Sequence, residues 1–111
     1  MSFHDLAINK ALQQQIVAAV AMIVTCVSAD PLAGKNLAEK WCVECHGIRA
    51  DRLSPNLAAP TFPELAAEPS ITEYSLRALL RSPHQTMPHI TFTPDQMDNI
   101  IEYIMSLKPR R

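Results

Sequence analysis

The sequence predicts an all-α protein in which helices are joined by proline-rich connections. No segment alternates Val, Ile or Thr with polar residues, the pattern expected of a half-buried strand. Nine prolines and only two glycines punctuate the chain. Apolar residues instead recur at helical spacing beside N-cap residues. The 111 residues suffice for one domain, and a net charge of -1 gives no basic bias toward nucleic acid.

An apolar run over residues 16–27 predicts an export signal near the N-terminus. The run is too short to span a bilayer comfortably. It ends in Val27-Ser28-Ala29, where small residues suit signal peptidase. We therefore expect cleavage after Ala29, with residues 1–29 as a signal peptide and residues 30–111 as the mature domain.

Two other interpretations of this segment stay open, an uncleaved membrane anchor and a lipoprotein modified at Cys26. Thr25 is a poor residue to precede a lipidated cysteine. His4 lies within the segment, and we assign it no role. Cleavage would leave Cys42 and Cys45 as the cysteines of a short domain that needs a staple. A disulfide between cysteines three apart closes almost no loop, so another cross-link is expected.

The first mature helix is predicted from Pro31 to about Glu44. Proline suits the first helical turn because its missing N–H has no partner there. One face of this helix is formed, at helical spacing, by Gly34, Leu37, Ala38 and Trp41. We expect Gly47 to end the helical segment in a left-handed conformation.

The middle of the chain, residues 48–69, lacks a sustained period and contains four of the prolines. We expect a long ordered loop with one short helix around residues 63–67. A second main helix is predicted from Ile71 or Thr72 to Arg81, with Ser70 to Glu73 as its capping box. Its apolar positions are Ile71, Leu76, Leu79 and Leu80.

The last helix has a clear predicted start and stop. Thr93 is the expected N-cap, with Pro94 at the first helical position and Gln96 completing a capping box. The helix should run to about Leu107, because Pro109 follows. One apolar stripe is formed by Met97, Ile100, Ile101, Ile104 and Leu107.

The segment Cys42-Val43-Glu44-Cys45-His46 is C-x-x-C-H, the attachment sequence for haem c. Two thiols at this spacing can form thioether bonds with the two vinyl groups of one haem. The histidine that follows then lies under the iron and supplies the proximal nitrogen ligand. One covalent haem bound through Cys42 and Cys45 would also supply the missing staple.

Two other chemistries use a C-x-x-C pair. A zinc site would require a second pair or further Cys and His residues at fixed spacing. A thiol–disulfide site usually lies beside a βαβ pattern, and no strand is predicted here. We therefore favour haem attachment over both.

Met87 is the candidate for the sixth iron ligand. A methionine sulfur is the usual second ligand of an electron-carrying haem c and raises its reduction potential. Met97 and Met105 lie on the last helix, where core packing explains them. Met87 lies in a loop before Pro88 and fills no helical face. His84 and His89 remain competing ligands, and either would lower the potential.

These pieces together resemble class I c-type cytochromes of the bacterial periplasmic type, over residues 34–107. The matching segments are Gly34 with Leu37, residues 42–47, Ala59-Pro60-Thr61-Phe62, residues 82–88 and residues 100–104. The resemblance implies the cytochrome c fold, in which three main helices wrap around one haem. It also implies that Gly34 of the first helix meets Tyr103 of the last. Ala38 stands where the family often has an aromatic residue, so Leu37 and Trp41 are expected to supply volume.

The resemblance also implies two residues beside the haem. A proline carbonyl of the family accepts the other ring N–H of the proximal histidine. Pro60 matches that proline by local sequence, and Pro55 is the alternative. Phe62 would then pack on the face or edge of the haem.

The implied function is the transfer of single electrons, without acid–base chemistry and therefore without enzyme activity. The expected partners are redox proteins, namely a membrane oxidase, a bc-type complex or a periplasmic dehydrogenase. The alternative is a haem-based sensor or ligand-binding cytochrome with an open or bis-histidine sixth site. Such four-helix cytochromes carry C-x-x-C-H near the C-terminus, whereas here it lies in the first mature helix.

Overall fold

The computed structural model describes residues 9–10, 27–82 and 86–110. Most of the predicted signal segment lies outside this range, as does His84. The described chain from residue 27 onward forms four helices and no strand: α1 (Pro31–Trp41), α2 (Phe62–Ala67), α3 (Glu73–Arg81) and α4 (Pro94–Ser106). The all-α prediction is therefore confirmed, with α1, α3 and α4 as the main helices and α2 as the short one.

Helix α4 is the central element, since α1, α2 and α3 all pack against it. Its predicted stripe faces the core, with Met97, Ile100, Ile101 and Ile104 buried and Leu107 half-buried. Thr93 caps the helix through the predicted capping box with Gln96. Arg77 of α3 forms an ion pair with Asp98 on α4.

Helices α1 and α4 cross in close backbone contact at Gly34. A Cβ atom at this position would overlap the carbonyl group of Asn99 and lie 2.9 Å from the Cβ of Tyr103. The Asn99 side chain also accepts a hydrogen bond of 2.8 Å from the N–H of Asp30, the N-cap of α1. Gly34 does meet Tyr103, as the resemblance implied, because only a residue without a side chain fits there.

The termini of two helices differ from the predictions. Helix α1 ends at Trp41, and Cys42 to Cys45 form turns beyond it. Helix α3 begins after Thr72, whose capping box is completed by Ser75. The predicted box from Ser70 to Glu73 is therefore wrong by two residues. Thr72 has the extended backbone of an N-cap, and its hydroxyl accepts the Ser75 N–H.

The predicted left-handed conformation of Gly47 is also wrong, because no described glycine has a positive φ. Glycine is needed at position 47 because the backbone of Arg52 and Leu53 approaches it closely. A Cβ atom there would overlap the carbonyl oxygen of Arg52 and lie 2.9 Å from the carbonyl carbon of Leu53. Among the described residues, no helix has both the length and the apolar character required to cross a bilayer.

Candidate haem site

A cleft opens beside the C-terminal end of α1. Its volume is about 870 Å³ when the space open to solvent is included. Cys42, Cys45 and His46 line one part of it, and Met87 lines another. The remaining lining residues are Trp41, Glu44, Asn56, Ala58, Ala59, Pro60, Thr86, Pro88 and Ile90. The fold thus brings the C-x-x-C-H motif and the predicted methionine ligand, which lie far apart in the sequence, to one cavity.

The two cysteines lie on the turns that continue α1. The N–H of Cys45 and the N–H of His46 both donate to the carbonyl oxygen of Cys42, over 3.2 and 2.8 Å. Cys42 is buried, Cys45 is half-buried, and both are thiols without a disulfide. Burial, with a further contribution from Cys45, raises the pKa of Cys42 to about 11. Reactive redox cysteines have lowered pKa values, so the raised pKa of Cys42 argues against a thiol–disulfide function.

The ring of His46 is held by a hydrogen bond to the backbone. Its Nδ1 lies 2.7 Å from the carbonyl oxygen of Pro60. A carbonyl oxygen only accepts, so Nδ1 carries the proton and Nε2 keeps the lone pair that can bind a metal. The structure places this acceptor at Pro60 and not at the alternative, Pro55.

The segment that carries Pro60 is fixed on both sides of the carbonyl. The N–H of Phe62 donates to the carbonyl oxygen of Gly47 over 2.8 Å. Thr61 caps α2, and its N–H donates to the Glu64 carboxylate over 2.7 Å while its hydroxyl accepts the Glu64 N–H. His46 therefore faces a carbonyl group whose rotation is restricted by these hydrogen bonds.

Phe62 does not line the cleft. Its ring is buried, with its centroid 5.6 Å from that of His46 and 6.3 Å from that of Tyr103. The hydroxyl of Tyr103 donates to the carbonyl oxygen of Ile48 over 2.7 Å. The aromatic residues thus support the ring of His46 from the core side, and Phe62 reaches the cleft only through that ring.

The competing axial ligands occupy different places. Met87 is half-buried and lines the cleft, whereas His89 is exposed and does not line it. His84 lies outside the described residues. Met97 is buried in the core, and Met105 packs against the core, which agrees with the packing role expected for both.

Trp41 departs from its expected position. Its side chain is 47% exposed at the cleft, and the Lys40 ammonium lies 5.0 Å from its ring centroid. The expectation that Trp41 fills volume at the helix crossing is therefore wrong. Ala38 is fully buried there, and Leu37 packs against the core, so the close approach of α1 and α4 leaves little volume to fill.

Two hydrogen bonds that the sequence did not reveal tie the following loop to the motif. The buried Ser54 hydroxyl accepts the N–H of Gly47 over 2.9 Å, and the N–H of Asn56 donates to the carbonyl oxygen of Cys45 over 3.3 Å. Neither residue carried a sequence pattern that would have singled it out. By contrast, the sequence does carry a signal for the capping pair Thr61 and Glu64, since T-x-x-E before a helix is the capping-box pattern.

The donor set of the cleft fits haem c and not zinc. Two thiols at the C-x-x-C spacing, one imidazole with an available Nε2 and one thioether are the groups that haem c uses. Within the described ranges, no group of three or more His, Cys, Asp or Glu residues could hold a metal ion. The fold and the cleft together define a small c-type cytochrome.

Comparisons with known proteins agree with the assignment as a small c-type cytochrome. The sequence model of the family described as cytochrome c oxidase, cbb3-type, subunit III, matches residues 29–104, and the chain belongs to this cytochrome c family. A curated relative, cytochrome c-552 of Bradyrhizobium diazoefficiens, is 28% identical over 94 residues, which cover 85% of this chain and 90% of the relative. No solved structure matches the chain significantly. The family's cofactor is covalently bound haem c, and its members carry electrons.

Proposed function

We propose that this chain is a single-electron carrier whose haem iron is bound by His46 and Met87. The observation that carries the proposal is the shared cleft, lined by the C-x-x-C-H motif and by Met87. Haem c, when bound, supplies an iron that gains or loses one electron. Cys42 and Cys45 would hold the group covalently, and Pro60 would act on it by orienting His46.

The residues around the cleft suit such a carrier. His46 is suited to bind iron through Nε2, because its hydrogen bond to Pro60 fixes both its tautomer and its ring direction. A ligand set that stays fixed on both sides of the iron keeps the geometric change on electron transfer small. Ala59, Pro88 and Ile90 give part of the cleft an apolar lining that suits the apolar face of a haem. This role needs no acid–base group, so we propose that the chain is not an enzyme by itself.

We further propose that the protein is exported, with residues 1–29 as a cleaved signal peptide and residues 30–111 as the functional domain. Covalent attachment of haem c is compatible with that destination. The proposed partners are redox proteins, and the family description makes an oxidase complex the first to test. A bc-type complex and a periplasmic dehydrogenase are the other candidates.

The test uses protein that is expressed with its own N-terminal segment and a c-type maturation system. A redox titration should follow the one-electron Nernst equation. The ferrous protein should bind carbon monoxide slowly, because Met87 occupies the sixth position. Rapid binding to wild type would favour the ligand-binding cytochrome, and a chain without covalent haem would contradict the proposal altogether.

A further inference from the structure

The peptide group between Pro60 and Thr61 is hydrogen-bonded at both ends. Its carbonyl oxygen accepts from His46 Nδ1 over 2.7 Å, and its N–H donates to Glu64 Oε2 over 2.7 Å. Imidazole, peptide and carboxylate therefore form one continuous chain. A carboxylate that bonds directly to a metal-binding histidine is a common arrangement. Here one peptide group lies between the two.

We propose that Glu64 is a positioning residue for the iron ligand: through the Pro60–Thr61 peptide, its carboxylate strengthens the hydrogen bond of His46 and lowers the reduction potential. The inference rests on the proposed function, because it requires His46 to bind iron. It assigns to Glu64 a role beyond capping α2.

Hydrogen bonds in a chain polarise one another, and a charged acceptor is the strongest source of such polarisation. The negative Glu64 carboxylate draws the Thr61 N–H toward itself, which increases the negative charge on the Pro60 oxygen. That oxygen then holds the His46 Nδ1 proton more tightly. The imidazole becomes a more basic ligand, which favours ferric over ferrous iron.

The effect should pass through the hydrogen bonds and not through space. Glu64 is exposed, so water and salt screen its field at longer range. The hydrogen bond from the Thr61 backbone, followed by that from its side chain, lowers the pKa of Glu64, so the carboxylate is ionised at neutral pH. The bond from Phe62 to Gly47 keeps the intervening peptide in place.

The experiment compares four variants of the haem-loaded protein. Glu64→Ala removes the acceptor, and Glu64→Gln keeps an acceptor without the charge. Glu68→Gln removes a charge one turn further along the chain, as a control for long-range electrostatics. Thr61→Val removes the capping hydroxyl but keeps the Thr61 N–H, as a control for loss of the helix cap. The readouts are the midpoint potential and, by proton NMR, the deuterium exchange rate of the His46 Nδ1 proton.

Glu64→Ala should speed this exchange and lower the ferric-to-ferrous ratio at a fixed potential by about threefold, an upward shift of about 28 mV at 59 mV per tenfold. Glu64→Gln, which keeps a neutral acceptor, should change both the exchange rate and the potential in the same direction by a smaller amount. Glu68→Gln should change neither readout, and Thr61→Val should lower stability while leaving the potential near that of wild type.

Two results would overturn the inference. Equal shifts for Glu64→Ala and Glu68→Gln would show that only overall charge matters. Equal shifts for Glu64→Ala and Thr61→Val would show that only the helix cap matters. Absence of His46 ligation in the wild-type protein would instead contradict the proposed function. Failure of the Glu64 inference and failure of the proposed function are therefore distinguishable.

Discussion

The Nδ1 atom of His46 lies 2.7 Å from the carbonyl oxygen of Pro60, 14 residues further along the chain. This contact decides which ring nitrogen is available to a metal. It also links the turns that follow α1 to the start of α2, a link that the bond from the Phe62 N–H to the Gly47 carbonyl oxygen reinforces. The His46 side of the cleft is therefore a hydrogen-bonded unit built from residues that are separate in sequence.

The position of Trp41 predicts that its fluorescence reports covalent haem attachment. It is the single tryptophan of the chain, it lines the cleft, and it directly precedes Cys42. Energy transfer to the haem should quench most of its emission, and unfolding in guanidinium should not restore it, because the bond to Cys42 keeps the haem beside Trp41. Protein expressed without a maturation system, and therefore without haem, serves as the reference intensity. Recovery of strong emission when the haem-loaded protein unfolds would contradict covalent attachment at Cys42.

Replacement of Gly34 should destabilise the crossing of α1 and α4. Gly34→Ala introduces a Cβ atom into the Asn99 carbonyl, so the helices must separate. Forced overpacking typically costs about 1–3 kcal/mol, which outweighs the higher helix propensity of alanine. Urea unfolding of the haem-loaded protein measures the change in the free energy of unfolding.

Asn36→Ala is the matched control for that experiment, because Asn36 is exposed on the same helix. It should leave stability unchanged or raise it slightly, since alanine has the higher helix propensity. A Gly34→Ala protein as stable as the Asn36→Ala protein would show that the crossing is looser than described.

Removal of the Tyr103 hydroxyl should leave a buried carbonyl group without its partner. Tyr103 donates to Ile48 over 2.7 Å, and burial raises its pKa, so the donor proton is retained. Tyr103→Phe should lower the free energy of unfolding by about 1 kcal/mol. Tyr74→Phe is the control, because Tyr74 is 86% exposed. Equal stability of the two variants would mean that the Tyr103 bond contributes nothing.

The capping carboxylate of Glu64 should make stability depend on pH in acid. Its pKa is lower in the folded protein than the ordinary value of 4.5, so the ionised form stabilises the fold above pH 4.5. That contribution is lost as the pH falls through the folded pKa. The stability difference between wild type and Glu64→Gln should thus be constant near neutrality and shrink below pH 4.5. A difference independent of pH would be inconsistent with this assignment.

Much of this organisation could be predicted from the sequence because it depends on local patterns. The capping residue and proline at the start of α4 and its apolar stripe are local signals, and both predictions are confirmed. The C-x-x-C-H motif is also local, which is why haem c was predicted from five residues. The helix crossing at Gly34 came from the family resemblance, since no local pattern identifies Tyr103 as its partner.

The errors arose where tertiary contacts override local preference. Trp41 has the helical spacing of a core residue, yet α1 and α4 approach so closely that it remains at the cleft. Gly47 follows the helix like a C-cap residue, but contact with Arg52 is what requires glycine. Ser54 became important only because the loop returns it to the Gly47 N–H. Contacts of this kind depend on the folded path of the chain.

The optical spectrum of the ferric protein, recorded for wild type, Met87→Ala and Met105→Ala, tests the central claim most directly. Met105 is half-buried but does not line the cleft, so it is the matched control. We expect covalent haem in all three proteins and low-spin haem in wild type and Met105→Ala, with the far-red band of methionine ligation lost only in Met87→Ala. Retention of that band in Met87→Ala, or its absence from wild type, would contradict ligation by His46 and Met87.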